Sequence, residues 1–269
     1  KDDQEFPPAA TAYQVGRKAI AANLSDLAAM AAKPEAVVVS VALPRQNGRT
    51  IADELFKGII EELEAFDTTL AGGDTNAWDG PLVISVTAIG SVSPWDCWRR
   101  NTAEPGDLLV VTGPLGGSLL GRHLNVTPRC HEALAIASKF QVHAAIDISD
   151  GLAIDCSRLM SASQTGAIID IESIPVHADA VSLSELKCNS SLTPIQHALQ
   201  DGEDFELLLA IPPDDAHAFV GGDPQKLVPQ TTMQPRIVGA VTEKTELLGR
   251  TADGQTHPLE PKGFEHAFT

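Results

Sequence analysis

The sequence predicts an α/β protein built in layers and divided into two domains. Helix-like and strand-like stretches alternate through the first third of the chain, the pattern of an α/β layer structure. The first strand-like stretch is a short, apolar, β-branched run bounded by prolines. A proline- and glycine-interrupted segment without periodicity then separates two halves. With 269 residues, 43% of them hydrophobic and 20% charged, the chain can bury a substantial core in each half.

In order, Ala12 to Ala32 reads as a helix rich in Ala, Leu, Ile and Met, closed by Lys33-Pro34. Ala36 to Leu43 is the β-branched run, stopped by Pro44. Ile51 to Phe66 carries Leu55, Ile59, Leu63 and Phe66 at helical spacing. Ala71-Gly72-Gly73-Asp74-Thr75 reads as a turn leading to a strand at Leu82 to Val92. Trp95 to Asp107 is the connector, which gives domains 1–106 and 107–269. The second half opens with a strand at Leu108 to Thr112 and a turn, Gly113-Pro114-Leu115-Gly116-Gly117. Helices follow at Arg129 to Lys139 and Leu152 to Ser163, and strands at Ala167 to Ile171 and Phe205 to Ala210. Pro175 to Pro194 reads as surface loop and Gly249 to Gln255 as a late turn.

Charge excludes one class of partner. Against 36 Asp and Glu there are 19 Lys and Arg, a formal net charge of -17. Nucleic-acid affinity comes from neutralising phosphates with Lys and Arg, so DNA and RNA are not expected partners. A nucleotide remains possible, because its phosphates travel as a magnesium complex. No apolar run is long enough to span a bilayer, and membrane association is not expected. Cys97, Cys130, Cys156 and Cys188 form no CxxC pair, so free thiols in a reducing cytoplasm are the expectation.

Four clusters set carboxylates among small or turn-forming residues: Asn23-Leu24-Ser25-Asp26, Gly72-Gly73-Asp74-Thr75, Asp147-Ile148-Ser149-Asp150-Gly151 and Asp201-Gly202-Glu203-Asp204-Phe205-Glu206. Each has a structural explanation, Asp150 for instance as the N-cap of the helix that follows. Asp147, however, follows an apolar stretch and is expected to end a buried strand. Carboxylates gathered at such ends repel, by about 4 kcal/mol for a pair about 4 Å apart at a surface-like dielectric. Bridging cations relieve that repulsion, and a histidine-poor set of oxygen ligands suits magnesium rather than zinc. The glycine turn at 113–117 lacks the Lys-Ser/Thr ending of a phosphate loop, and no GxSxG elbow is present.

The run Val15-Gly16-Arg17-Lys18 to Met30 closely resembles the thiamine-monophosphate kinase family, of the aminoimidazole ribonucleotide synthetase-like superfamily. LAGGDT, PLVISVTAIG, Arg99-Arg100 before PGD, LVVTGPLGG, AIDISDGL, GEDFELL and KGFEHAF continue the resemblance in order over nearly the whole chain. It implies a two-domain aminoimidazole ribonucleotide synthetase-like fold whose N-terminal sheet pairs across a homodimer. ATP would lie near the subunit boundary. The implied reaction moves the ATP γ-phosphoryl group onto thiamine monophosphate, giving thiamine diphosphate.

Position by position, the resemblance implies magnesium ligands at Asp26, Asp74, Asp147 and Asp150, the last two catalytic. It implies nucleotide contacts at Phe56, Gly73, Asp74, Ser149 and Arg100, the arginine on a phosphate, and substrate contacts at Glu203 and Phe264. Core packing is the other reading of Phe56 and Phe264. The family pattern begins upstream of Lys1 with a GDDAA turn, so the resemblance also implies an incomplete N-terminal domain. Two other readings stay open: a different ATP-dependent enzyme of the superfamily, and a non-catalytic protein binding nucleotide or thiamine phosphate.

Overall fold

A computed structural model describes residues 10–93, 95–186 and 192–265. Cys188 and the end of the KGFEHAF motif lie outside the described residues. The first half holds α1 (Ala12–Ala28), β1 (Lys33–Pro44), α2 (Gly48–Ala65), β2 (Thr69–Trp78) and β3 (Val83–Ser91). The second half holds β4 (Leu108–Val111), α3 (Cys130–Ala137), β5 (Ala144–Ile148), α4 (Leu152–Ser163) and β6 (Gly166–Asp170). It continues with α5 (Ala178–Glu185), α6 (Pro194–Gln200), β7 (Glu206–Ile211), α7 (Pro213–Gly221), α8 (Pro224–Leu227), β8 (Arg236–Thr242), β9 (Leu247–Arg250) and β10 (Thr256–Pro258).

Two sheets result. The first has the order β2-β1-β3, with β2 parallel and β3 antiparallel to β1. The second has seven strands in the order β10-β9-β6-β8-β4-β7-β5, all antiparallel neighbours except β6 and β9.

Alternation of side chains across the pleat decides what faces what. On β7, Leu207, Leu209 and Ile211 join a core shared with α1, α2 and β1, while Leu208 and Ala210 join a second core with α4. Both faces of this strand are covered, which is why its sequence is a continuous apolar run. The same parity on β5 sends Ala145 to the first core and Ala144, Ile146 and Ile148 to the second. Asp147 therefore lies on the Ala145 side, toward α1.

Helix α1 starts on a capping box between Thr11 and Gln14, which satisfies backbone donors at its N-terminus. It packs against α2 so closely that neither contact point tolerates a side chain. A Cβ on Gly16 would strike the carbonyl of Leu55, and one on Gly58 would strike the carbonyl of Tyr13.

Three local expectations are corrected. Helix α1 ends at Ala28, not Ala32, because Ala31 turns left-handed (φ 51°) to feed β1. Residues 71–75 are not a turn but the middle of β2, where Ala71 bulges out of the ladder between Leu70 and Gly72. Glycines suggested a turn there, but β2 needs glycine for packing: a Cβ on Gly73 would meet the backbone of Val39 on β1. The expected loop at 175–194 contains α5, whose first turn is capped by His177 accepting from the Asp179 N–H. Only Ala180 of α5 is buried, so no apolar stripe marked it.

Candidate active site

Asp26 enters the site from α1 and Asp147 from the end of β5. Ser25, beside Asp26 and fully buried, donates to Asp147 Oδ2 at 2.9 Å. This bond ties residues 122 positions apart in sequence, one from each sheet's half. Asp147 is 3% exposed. Burial pushes its carboxyl up to about 6; the Asp26 charge adds to the rise, while the Ser25 hydroxyl and Arg100 oppose it. Asp26 opens to solvent at the mouth, yet the surrounding protein raises its carboxyl too, with Arg100 again opposing. Arg100 is placed beside them because the Arg99 carbonyl accepts from the Ala145 N–H, at the outer edge of β5.

The Ser149-Asp150-Gly151 turn comes next. Asp150 does not cap α4. The carboxylate that does so is Asp155, buried in the first turn of α4. Its Oδ2 accepts from the N–H groups of Ser149, Asp150 and Gly151 at 3.1, 2.9 and 3.2 Å. Arg158 bridges Asp155 Oδ1 at 2.7 Å and also contacts Asp150 Oδ2. The Asp150 carbonyl accepts from the Phe264 N–H at 2.9 Å and so brings the chain's last described segment to the site.

The 201–205 loop closes the other side. Glu203 and Phe205 take left-handed conformations (φ 59° and 52°), rare for residues with side chains. Backbone bonds hold them there: Glu203 N–H donates to Ser149 O at 2.7 Å and Phe205 N–H to Ile148 O at 2.8 Å. Asp204 anchors the loop from beneath, accepting from the Gly116 N–H and from Arg122. Complete burial pushes its carboxyl up to about 7, with Arg122 opposing. Gly117 N–H likewise donates to Asp201 at 2.9 Å. The glycine turn thus spends its donors on carboxylates, in keeping with its lack of a phosphate-loop ending.

Together these elements line a cleft of about 210 Å³. Its polar lining residues are Asn23, Asp26, Asp147, Ser149, Asp150, Asp201 and Glu203, and its apolar ones Ala22, Leu119, Phe205 and Phe264. Six of the ten residues expected from the sequence meet here, and Arg100 acts on two of them electrostatically. Phe56, Gly73 and Asp74 are not in this cleft. Phe56 lies on α2, partly packed on the first core, in a shallow groove with Asp53, Lys57 and Ile60. Gly73 and Asp74 lie exposed on β2, where Asp74 accepts from Asn76 Nδ2 at 2.6 Å.

Sequence reasoning passed over Ser25, Asn23 and Asp201, although all three stood in the quoted clusters. It also missed Lys18, whose ammonium pairs with Glu203 Oε2 at 2.6 Å. A signal existed: Lys18 lies on the stripe of α1 that holds Val15, Ala21 and Leu24, where a cation is out of place. Asp155 gave no comparable sign.

Among the described residues no three carboxylates, thiols or imidazoles gather closely enough to cage an ion. The pair Asp26 and Asp147 nonetheless fits magnesium. Burial raises both carboxyls, by disfavouring their charged forms, and magnesium commonly takes one or two carboxylates, completing its shell with water and substrate phosphate.

Known proteins resemble the chain at every level. It matches the AIR synthase related protein family twice, the N-terminal domain over residues 3–92 and the C-terminal domain over residues 117–246. The chain is therefore an AIR synthase-related protein. Thiamine-monophosphate kinase of Rhodopirellula baltica is 42% identical over 255 residues, covering 95% of this chain and 77% of that protein. The corresponding kinase of Synechococcus elongatus is 32% identical over 291 residues, covering 98% and 81%. The chain belongs to the thiamine-monophosphate kinase family. Among solved structures, AaThiL complexed with AMPPCP and TMP superposes with a TM-score of 0.82 at 26% identity, covering 99% of this chain and 84% of that one. Thiamine-monophosphate kinase from Stenotrophomonas maltophilia gives 0.79 at 28%, covering 93% and 82%. The hydrogenase maturation protein HypE of E. coli, at 17% identity and a TM-score of 0.76, shares the fold.

Proposed function

We propose that this chain transfers the γ-phosphoryl group of ATP directly to the phosphate of thiamine monophosphate, giving thiamine diphosphate and ADP. The observation that carries the reading is the cleft itself, which is lined by both carboxylates and aromatic rings. The acceptor is a phosphate oxygen already ionised at neutral pH, so no strong general base is needed. The obstacle is the approach of two polyanions. Magnesium held by these carboxylates supplies the positive charge that offsets that repulsion.

Asp147 and Asp26 hold the cation and fix its place relative to α1 and β5. Asp150 joins them on turning from Arg158. Ser149 contacts the nucleotide, and Arg100 contacts phosphate from the cleft's edge. Phe264 stacks on the thiamine ring, and Glu203 contacts the same part of the substrate. In a reaction with ATP, magnesium and thiamine monophosphate, thiamine diphosphate and ADP appear in equal amounts, and EDTA abolishes both. ADP formation without thiamine diphosphate would refute the reading.

Residues 1–106 serve on this reading as the ATP- and magnesium-binding, dimerising domain, and residues 107–269 as the C-terminal α/β domain, in a cytoplasmic enzyme. The first sheet supports a homodimer: its open face carries Val38, Val83 and Ile89, the last two 47% and 48% exposed. Pairing of two such faces gives Asp74, level with Ser40 of that face, and its neighbour Gly73 a role at the subunit boundary, near the nucleotide. Sedimentation is expected to give a dimer, converted to monomer by Val38→Glu with Ile89→Glu; a monomeric unsubstituted chain would contradict the pairing.

A further inference from the structure

Lys18 presents an oddity that the reaction above does not use. Its side chain is 4% exposed, inside the apolar face of α1, and its ammonium lies 2.6 Å from Glu203 Oε2. An ion pair taken out of water is poor value as a source of stability, since desolvation offsets most of the attraction. Such a pair is better explained by what it holds in place.

Glu203 itself is held on three sides. Its backbone is left-handed and bonded to Ser149 O, the neighbouring Gly202 carbonyl accepts from Ser118 Oγ at 2.7 Å, and Asp204 is fixed by Arg122. Strain of this kind persists where the surroundings over-determine it, and it concentrates at sites that must present a group in one orientation. The remaining freedom is in the Glu203 side chain, which is 17% exposed and lines the cleft with Phe205 and Phe264. Lys18 removes that freedom. Burial lowers the pKa of His123, the Lys18 and Arg122 charges add to the fall, and its Nδ1 donates to Ser118 O.

We propose that Lys18 is a positioning residue for substrate recognition: it holds the Glu203 carboxylate aimed into the cleft, giving the cationic thiamine moiety a fixed partner beside Phe205 and Phe264. This rests on the reading that thiamine monophosphate is the acceptor. Because Lys18 and Asp26 stand on one helix, α1 would then set the distance between the thiamine end and the phosphate end of the cleft.

The test is steady-state kinetics with each substrate varied in turn, on Lys18→Met, Lys18→Arg, Glu203→Gln and the double variant Lys18→Met/Glu203→Gln. Lys18→Met is expected to raise KM for thiamine monophosphate about tenfold while KM for magnesium-ATP changes less than about twofold, the mark of lost binding to one substrate. Lys18→Arg should recover part of the loss. The double variant should be no worse than either single one, because both remove the same interaction. It also leaves the net charge of the cleft unchanged and no buried charge unpaired, so it reports even where Lys18→Met alone fails to fold.

Equal rises in both KM values, or additive losses in the double variant, would overturn the proposal, as would an unchanged KM for thiamine monophosphate in Glu203→Gln. Absence of thiamine diphosphate formation by the unsubstituted chain would instead remove the reading on which the proposal stands.

Discussion

Asp147→Asn is expected to stabilise the metal-free protein while ending turnover. The carboxyl titrates near 6 in the folded chain against an ordinary 3.8, because burial and the Asp26 charge disfavour its ionised form. The folded state therefore holds this proton more tightly than the unfolded state. The stability so gained is fully present below pH 3.8 and is lost as the pH rises through 6. At neutral pH the shift corresponds to about 3 kcal/mol of unfavourable energy. Asparagine carries no charge and still accepts from Ser25, so most of that energy is recovered.

Thermal melts in EDTA from pH 5 to 8 should show the unsubstituted chain losing stability with rising pH. Asp147→Asn should melt higher at pH 7.5 and depend on pH less steeply. Some slope remains, because Asp204, raised to about 7, acts in the same sense. Turnover should fall about a thousandfold, since several kcal/mol of charge stabilisation depend on the cation it holds. A variant that is less stable in EDTA would contradict the assignment of Asp147 as a charge awaiting a cation.

Gly16→Ala is expected to have the largest effect on folding. The added Cβ would strike the Leu55 carbonyl and lie 3.2 Å from the Ile59 nitrogen, all backbone atoms of α2 that no rotamer change can move. Gly58→Ala makes the reciprocal collision with Tyr13 and Arg17. Either forces the two helices apart and opens the core of Ile20, Leu24, Leu55 and Ile59, at a cost of about 3–5 kcal/mol. Activity should fall too, since α1 carries Lys18, Ser25 and Asp26. Urea denaturation measures the loss. Gly221→Ala, where a Cβ meets nothing within 4 Å, serves as the control with little change.

Legibility in the sequence followed the physics of each element. The helices α2 and α4 and the strands β1, β3, β4 and β7 were readable because apolar spacing or short, largely apolar runs mark them. The glycines of β2 were misread because packing against β1 and a turn call for the same residue. In the cleft, the carboxylates were visible as clusters, and their order along the chain carried the family. That Asp26 and Asp147 meet depends on strand parity in β5 and on the Ser25 bond, both of them tertiary facts. Asp155 was invisible for a related reason, since it acts by what it holds in place and stands in no cluster; Lys18 showed only as a cation on the apolar stripe of α1.

The central claim is that the Asp147 and Asp150 turn, facing Asp26, carries the phosphoryl transfer. It is tested most directly by the double variant Asp147→Asn/Asp150→Asn, with thiamine diphosphate measured over time at saturating ATP, magnesium and thiamine monophosphate. The account predicts a folded protein that forms no thiamine diphosphate above background. Formation at the rate of the unsubstituted chain would place the chemistry elsewhere and contradict it.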